Sequence, residues 1–162
     1  MPLPSQPPSP PAAGAKDYRI RPLKRGDRDA VFKLLAADGW VVAANDQELA
    51  ISWVVQHPEI ECFVAHDVGA YSRLFGMITM SHRPQLKLGG RVASIDLFVI
   101  SPDQRNKGIG HDLLSQALAR AQALGCKRME MMLPEPRDER HDFFESYGFV
   151  NNGNDLYVRA MI

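Results

Sequence analysis

The stretch Arg105-Asn-Lys-Gly-Ile-Gly110 joins a hydrophobic segment that ends at Ile100 to an amphipathic segment that begins near Gly108. The first backbone N–H groups of a helix have no intrahelical partner, and the helix dipole is positive at that end. An anion such as a pyrophosphate can therefore bind at this junction. Gly108 and Gly110 lack a Cβ atom, so their backbone can approach phosphate oxygens closely. The stretch predicts a strand, an anion-binding loop and a helix, in that order.

The sequence on either side of the loop supports this interpretation. Residues 94–100 are mainly apolar, as expected for a strand. After the loop, apolar residues recur at helical spacing and would share one helix face: Ile109, Leu113, Ala117, Leu118, Ala121 and Leu124. Arg105 and Lys107 would add positive charge, and the guanidinium of Arg105 could form a bidentate contact. An ordinary strand-to-helix turn with basic surface residues is the alternative.

Two stretches of the sequence resemble signatures of one superfamily. Residues 98–110, FVISPDQRNKGIG, resemble the acetyl-coenzyme A loop of the GCN5-related N-acetyltransferase (GNAT) superfamily, in outline V-x-P-x-x-R-x-x-G-x-G. Residues 137–149, RDERHDFFESYGF, are similar to its closing signature, broadly A-x-x-F-Y-x-x-x-G-F. Two signatures in this order and separation are more specific than either alone. The resemblance extends over residues 17–162.

The resemblance implies an α/β (α+β) fold with a mixed, mostly antiparallel sheet of six to seven strands flanked by four helices. Two parallel strands of this fold splay apart at the cofactor site. The sequence pattern predicts a compatible order, strand-helix-helix-strand-strand-strand-helix-strand-helix-strand-strand. The last two strands would be residues 149–151 and 156–161, joined by the turn signal Asn152-Gly-Asn-Asp155.

The resemblance also implies which residues hold acetyl-coenzyme A. Main-chain groups of Phe98, Val99 and Ile100 would pair with the pantetheine arm as an added strand does, and one N–H would polarise the thioester carbonyl. The pyrophosphate would lie against the loop and the start of the helix: Arg105, Asn106, Lys107, Gly108, Ile109, Gly110 and His111.

A base is needed for acetyl transfer, because an amine with a pKa of about 10 is protonated at neutral pH. Asp96 stands four residues before Ile100, where relatives often carry a glutamate in this role. Strand alternation predicts that Asp96 shares a face with Ser94, Phe98 and Ile100. A carboxylate among apolar side chains costs free energy unless it is partnered or functional, so a structural hydrogen bond is the alternative to the base role.

The closing signature departs from the family pattern at Phe144, where a tyrosine hydroxyl usually reprotonates the coenzyme A thiolate. Tyr147 and His141, each three residues away, are alternative donors, and solvent suffices for a thiolate with a pKa of about 8.5. This departure predicts slower turnover and leaves a catalytically silent acyl-coenzyme A-binding module as the second hypothesis. Arg137 stands where many relatives have an asparagine, and it is either a cofactor contact or a surface arginine.

The expected acceptor is an amine of a small molecule or a peptide. Its pocket would involve the two early helices, the loop after the third strand and the C-terminal strand pair, with Trp40, Asp46, Glu48, Trp53 and His82 as candidates. Trp53 is expected in the core, because it lies at helical spacing from Leu49. A dinucleotide-binding domain is disfavoured, because no third glycine follows Gly110.

The composition bears on domain organisation and disfavours nucleic-acid-binding and membrane-spanning proteins. The 162 residues are 45% hydrophobic and 23% charged, which predicts one globular domain over residues 17–162. Residues 1–16 contain six of the twelve prolines, which predicts a disordered tail. The formal net charge is zero, which disfavours nucleic acid, and no apolar stretch is long enough to predict a membrane helix.

The two cysteines, Cys62 and Cys126, predict buried thiols rather than a metal site or a disulfide framework. We therefore expect a cytoplasmic protein without a bound metal. Because superfamily members are commonly dimers, the resemblance adds a homodimer to these expectations.

Overall fold

A computed structural model of the protein describes residues 16–70, 72–133 and 137–153. These residues form two compact units, one of residues 16–132 and one of residues 133 and 137–153. The predicted tail, except Lys16, and the predicted last strand at residues 156–161 lie outside the described residues. The division into a tail and one domain stays a prediction.

The first unit contains three α-helices and five strands among its described residues. In chain order these are β1 (Tyr18–Pro22), α1 (Arg28–Ala37), α2 (Ala44–Gln56), β2 (Ile60–Asp67), β3 (Leu74–Gln85), β4 (Gly90–Ile100), α3 (Ile109–Ala123) and β5 (Cys126–Met131). A 3-10 turn, Pro102–Gln104, lies between β4 and α3. The second unit contains α4 (Glu139–Ser146).

The strands form one sheet whose spatial order is the order of the chain, β1-β2-β3-β4-β5. Neighbours from β1 to β4 are antiparallel, whereas β4 and β5 are parallel and are connected through α3. The predicted mixed, mostly antiparallel sheet with four helices and a parallel pair is confirmed. The described residues contain five strands rather than six to seven. Residues 149–151 form no strand among the described residues, and the segment predicted to pair with them, residues 156–161, lies outside those residues.

Helices cover both faces of the sheet. On one face, α1 and α2 enclose a buried cluster: Val31, Leu34, Leu35, Ile51, Cys62, Val64, Leu74, Met77 and Val99. On the other face, α3 buries four members of the predicted apolar stripe, Ile109, Leu113, Ala117 and Ala121, and also Leu114, which the stripe did not include. The other two members, Leu118 and Leu124, are half-buried. Gly76 of β3 permits this close packing, because a Cβ atom there would lie 2.8 Å from Ile100 Cδ1 and 3.2 Å from Leu113 Cδ1.

The two cysteines differ in their surroundings. Cys62 is buried, as predicted, and burial raises the pKa of its thiol to about 11. Cys126 is only half-buried, because it is the first residue of β5, the last strand of the sheet. The prediction of a buried thiol is therefore wrong for Cys126.

A buried histidine lies in β3 among four charged side chains. His82 is 5% exposed, and its Nδ1 accepts a hydrogen bond from Arg91 Nε at 3.2 Å. The proton of the neutral ring is therefore on Nε2, which has no hydrogen-bond partner among the described residues; its nearest carboxylate oxygen, Glu61 Oε1, is 3.9 Å away. Glu61 pairs with Arg120 at 3.0 Å, and Arg91 pairs with Glu59 at 2.9 Å. These pairs leave no carboxylate dedicated to a protonated His82.

We expect acid to destabilise the fold through His82. Burial, followed by the charge of Arg91, lowers the pKa of His82 below the unfolded value of about 6.5, so the unfolded chain binds the proton first. The free energy of unfolding should fall as pH drops below about 6.5, by at most about 1.4 kcal/mol per pH unit. Urea denaturation across this range measures the slope.

The variant His82→Gln should lose this part of the pH dependence. The control His57→Gln changes an exposed histidine and should keep the wild-type slope. Equal slopes in wild type and His82→Gln would show that another group is responsible.

Candidate active site

The loop between β4 and α3 contains two residues in the left-handed backbone region. Gly108 precedes α3 with a φ of 85°, and Asn106 has a φ of 62°. Glycine adopts this conformation without a steric cost, and asparagine tolerates it better than most residues. The two residues turn the chain sharply from the end of β4 into the first turn of α3. This local geometry explains the residue types that the sequence carries at both positions.

The first turn of α3 offers unpaired donors. No side chain caps this end of the helix, and its first backbone bond runs from Asp112 N–H to Gly108 O at 3.0 Å. Among the described residues, the N–H groups of Gly108, Ile109 and Gly110 donate to no protein acceptor. The Ile109 side chain is buried, so only its backbone can contribute to a site. This arrangement can bind an anion with backbone groups alone.

The basic loop residues already contact neighbouring side chains. Arg105 Nη2 lies 3.6 Å from Asp38 Oδ1, at the end of α1, and Lys107 Nζ donates to Gln104 Oε1 at 3.1 Å. Both basic side chains are exposed and can be reached by a ligand. His111, in the first turn of α3, is half-buried. The loop thus combines unpaired amides with nearby positive charge.

The register between β4 and β5 covers only the first half of β4. The register with β5 ends at the pair Ile95–Met131, and residues 96–100 face no β5 residue in the described part of the chain. On its other edge, β4 continues to pair with β3, through Phe98, Val99 and Ile100. An extended ligand can add to the edge of a strand through main-chain hydrogen bonds.

Asp96 lies at a β-bulge. Its neighbours Ile95 and Leu97 pair with consecutive residues of β3, so Asp96 has no partner on that strand. The extra residue reverses the alternation of side chains along β4. The prediction that Asp96 shares a face with apolar neighbours is therefore wrong, and its side chain is exposed. A catalytic role for Asp96 stays a prediction. The free-energy cost of burying a carboxylate no longer supports it, because the side chain is exposed.

In the second unit, Arg137 is engaged by carboxylates of α4. Its Nη1 and Nη2 atoms donate to Glu145 Oε1 and Oε2 at 2.5 and 2.7 Å, and Nη2 also donates to Asp142 at 2.6 Å. These hydrogen bonds, with that of Glu145 the stronger, raise the pKa of Arg137. A contact between Arg137 and a cofactor would therefore compete with these carboxylates.

Phe144 and Tyr147 belong to an aromatic group in the same unit. Phe144 is 2% exposed, and its ring packs edge-to-face against Phe143 at 5.2 Å and Phe149 at 5.4 Å between centroids. The half-buried Tyr147 ring lies 5.2 Å from that of Phe143. The phenyl ring of Phe144 is thus a packing element, and Tyr147 carries the nearest phenolic hydroxyl along the chain.

The candidates for the acceptor pocket occupy different environments. Trp40 and Trp53 are 63% and 65% exposed, so the prediction that Trp53 lies in the core is wrong. The inward face of α2 is provided by Ile51 instead, and Trp53 points outward with the exposed Leu49. Asp46 is exposed. Glu48 forms ion pairs with Arg25, which precedes α1, and with Arg28, the first residue of α1. The buried His82 is not available to a ligand in solution.

Sequence patterns gave no indication of one contact of the loop. Arg73, just before β3, donates to the carboxylate of Asp103 in the turn that precedes the loop. The two residues are 30 positions apart, so no local spacing could reveal the pair. The adjacent Ser101-Pro102-Asp103 signals a turn only.

Comparison with known proteins links this geometry to a family. A model of the "Acetyltransferase (GNAT) family" matches residues 28–149. No curated protein sequence matches the chain. In the described residues, no helix is long and apolar enough to cross a membrane, and no cluster of His, Cys, Asp or Glu is suited to a metal ion.

Solved structures with similar folds come from several organisms. A transcriptional regulator from Bacillus halodurans has 22% identity and a TM-score of 0.79, covering 88% of this chain and 99% of its own. A ribosomal-protein-alanine N-acetyltransferase from Brucella melitensis has 17% identity and a TM-score of 0.70, covering 89% and 99%. A glucosamine-6-phosphate N-acetyltransferase from Arabidopsis thaliana has 15% identity and a TM-score of 0.75, covering 89% and 99%. These similarities concern the fold alone.

Proposed function

The chain belongs to the acetyltransferase (GNAT) family, and from this premise we propose that it transfers the acetyl group of acetyl-coenzyme A to an amine. The observation that carries the proposal is the set of unpaired amides of Gly108, Ile109 and Gly110 at the start of α3. Those donors match a diphosphate. They follow, after a short loop, a strand whose second half has no register partner on β5 among the described residues. Acetyl-coenzyme A is the co-substrate of the family.

In the proposed complex, the diphosphate lies against the loop from Arg105 to His111. Arg105 and Lys107 exchange their present contacts with Asp38 and Gln104 for phosphate oxygens. The pantetheine arm runs along the β5 side of β4, beside the main chain of residues 98–100. Affinity then comes from backbone groups, which leaves side chains free to select the acceptor.

The proposed reaction is a direct attack within a ternary complex. The amine nitrogen attacks the thioester carbonyl, a C–N bond forms, and the C–S bond breaks with release of the coenzyme A thiolate. Asp96 accepts the amine proton, through a water molecule because its side chain is short. A main-chain N–H of residues 98–100 stabilises the tetrahedral oxygen, and Tyr147 or solvent protonates the thiolate.

The acceptor is proposed to be an amine of a small molecule or a peptide. The two similar N-acetyltransferase structures bear names that specify a ribosomal-protein alanine and a sugar phosphate, so the shared fold accommodates both classes. The balanced charge of the chain suits neither nucleic acid nor an anionic membrane surface as a partner. We place the enzyme in the cytoplasm, as a homodimer like many members of the family.

A second candidate is a silent acyl-coenzyme A-binding module with the same fold. The observation that favours it is Phe144, whose buried phenyl ring stands where the family usually has a proton donor. Such a module would bind acetyl-coenzyme A through the same loop and release no free thiol in the presence of amines.

Acetyl-coenzyme A should bind to the wild-type protein, and Gly108→Ala should weaken that binding. A Cβ atom at a φ of 85° costs about 1 kcal/mol, which favours loop conformations that no longer present the unpaired amides together, so we expect the Kd to rise about tenfold. Isothermal titration measures both values.

The matched control is Gly125→Ala. Gly125 has a φ of 75° just after α3, so the substitution strains the backbone equally at the opposite end of the helix. It should leave the Kd unchanged. Absence of binding between the wild-type protein and millimolar acetyl-coenzyme A would refute the proposal.

Replacement of the proposed base should separate catalysis from binding. Asp96→Asn removes the proton acceptor, so we expect transfer to slow by about 100-fold while the Kd for acetyl-coenzyme A stays constant. A thiol-release assay with a panel of amines measures transfer. Asp29→Asn, at another exposed carboxylate, should change neither quantity. Equal loss of binding and transfer in Asp96→Asn would contradict the base role.

Restoring the family hydroxyl tests the two candidate functions against each other. Phe144→Tyr should raise the rate by about 100-fold if only a general acid is missing, provided that thermal denaturation shows the variant to be folded. If Tyr147 already donates the proton, Tyr147→Phe should slow the wild-type reaction. Tight binding without thiol release in wild type and Phe144→Tyr would support the silent module.

A further inference from the structure

A network of side chains joins the connection before β3 to the turn in front of the candidate phosphate loop. Arg73 donates through Nη2 to Oδ2 of Asp103, and its guanidinium carbon lies 5.0 Å from the centroid of the Phe75 ring. The backbone of Arg73 is also fixed, because its N–H donates to Ala70 O at 2.8 Å and its carbonyl accepts from Asp67 N–H at 2.9 Å. Arg73 therefore reaches Asp103 from a supported position beside the sheet.

Asp103 uses both of its carboxylate oxygens. Oδ1 accepts from the Ser101 hydroxyl at 2.6 Å, and Oδ2 accepts from Gln104 Nε2 at 3.3 Å as well as from Arg73. Gln104 Oε1 in turn accepts from Lys107 Nζ at 3.1 Å. The hydrogen bonds from Ser101 and Arg73 hold the pKa of Asp103 well below its usual range, so the carboxylate is ionised at neutral pH. The contacts thus extend from the β2–β3 connection to a basic residue of the loop.

The loop needs support of this kind. Asn106 occupies the left-handed region at a cost of about 1 kcal/mol, and neighbouring contacts must maintain it there. The amides of Gly108, Ile109 and Gly110 make no hydrogen bonds among the described residues that could serve this purpose. On the N-terminal side of the loop, the hydrogen bonds of Asp103 restrain the chain.

We infer that Arg73 and Asp103 are positioning residues for the cofactor. By fixing the turn Pro102–Gln104, they hold the amides at the start of α3 in the orientation that receives the diphosphate. This role rests on the proposed function and is exerted through the loop rather than through contact with coenzyme A.

The opposite charges of the two residues separate positioning from simple attraction. Coenzyme A is anionic, so loss of the Arg73 charge weakens its binding under either explanation. Loss of the Asp103 charge strengthens binding if attraction dominates, but weakens binding if loop geometry dominates. Asp103→Asn is therefore the decisive variant, and Arg73→Met is its partner.

The experiment compares wild type, the two single variants and the double variant. Each single variant should raise the Kd and the KM for acetyl-coenzyme A about fivefold. The kcat at saturating cofactor should stay unchanged, which a general loss of structure would not produce. The Kd of the double variant should not exceed the higher of the two single-variant Kd values, because the two residues act as one unit. Arg25→Met removes a similarly exposed ion pair, with Glu48 at 3.0 Å, and should leave the Kd unchanged.

A measurement without cofactor reports on the loop directly. Trypsin cleaves after Arg105 and Lys107, and cleavage requires the loop to leave its folded conformation. Both single variants should be cut at these bonds faster than wild type and Arg25→Met.

The outcomes separate the two claims. If the wild type binds acetyl-coenzyme A and Asp103→Asn binds it equally well or more tightly, the positioning role is wrong. Wild type that fails to bind acetyl-coenzyme A would overturn the proposed function and, with it, the cofactor role of Arg73 and Asp103.

Discussion

The packing of α3 against the sheet is the constraint on which the candidate site depends. Ile109 anchors the first turn of the helix in the core, while the N–H groups of Gly108, Ile109 and Gly110 remain without protein acceptors in the described chain. The absence of a side chain at Gly76 allows α3 to lie close to β3 and β4. Burial of the helix thus determines where its unpaired amides are presented, and the apolar stripe that drives burial is also what fixes the anion site.

The sequence was sufficient for features that depend on local periodicity. The apolar stripe of α3, the apolar end of β4 and the glycines between them predicted the junction that the structure contains. Asp96 shows where this reasoning fails, because a bulge shifts the register by one residue and depends on β3 rather than on β4 alone. Trp53 fails for a related reason, since helical spacing shows which residues share a face but not which face meets the sheet.

Compensation of charge is the other feature that local patterns could not reveal. Arg105 lies beside Asp38, and Arg73 pairs with Asp103, although each partner is distant along the chain. Because both loop cations already have contacts, a diphosphate must displace Arg105 and Lys107 from them. The net electrostatic gain on binding is therefore a difference between two sets of contacts, which is smaller than the charge of the loop alone suggests. The N–H groups of Gly108, Ile109 and Gly110 have no protein acceptor to give up among the described residues, so their hydrogen bonds to a diphosphate replace no contact within the protein.

The exposure of Trp40 and Trp53 has a consequence for spectroscopy. They are the only tryptophans in the sequence, and both indole rings are largely in contact with water in the folded chain. Intrinsic emission should therefore resemble that of indole in water before and after denaturation. Far-ultraviolet circular dichroism is the better signal for unfolding, whereas a blue shift of the emission would mark a molecule that covers the surface of α2 or the segment before it.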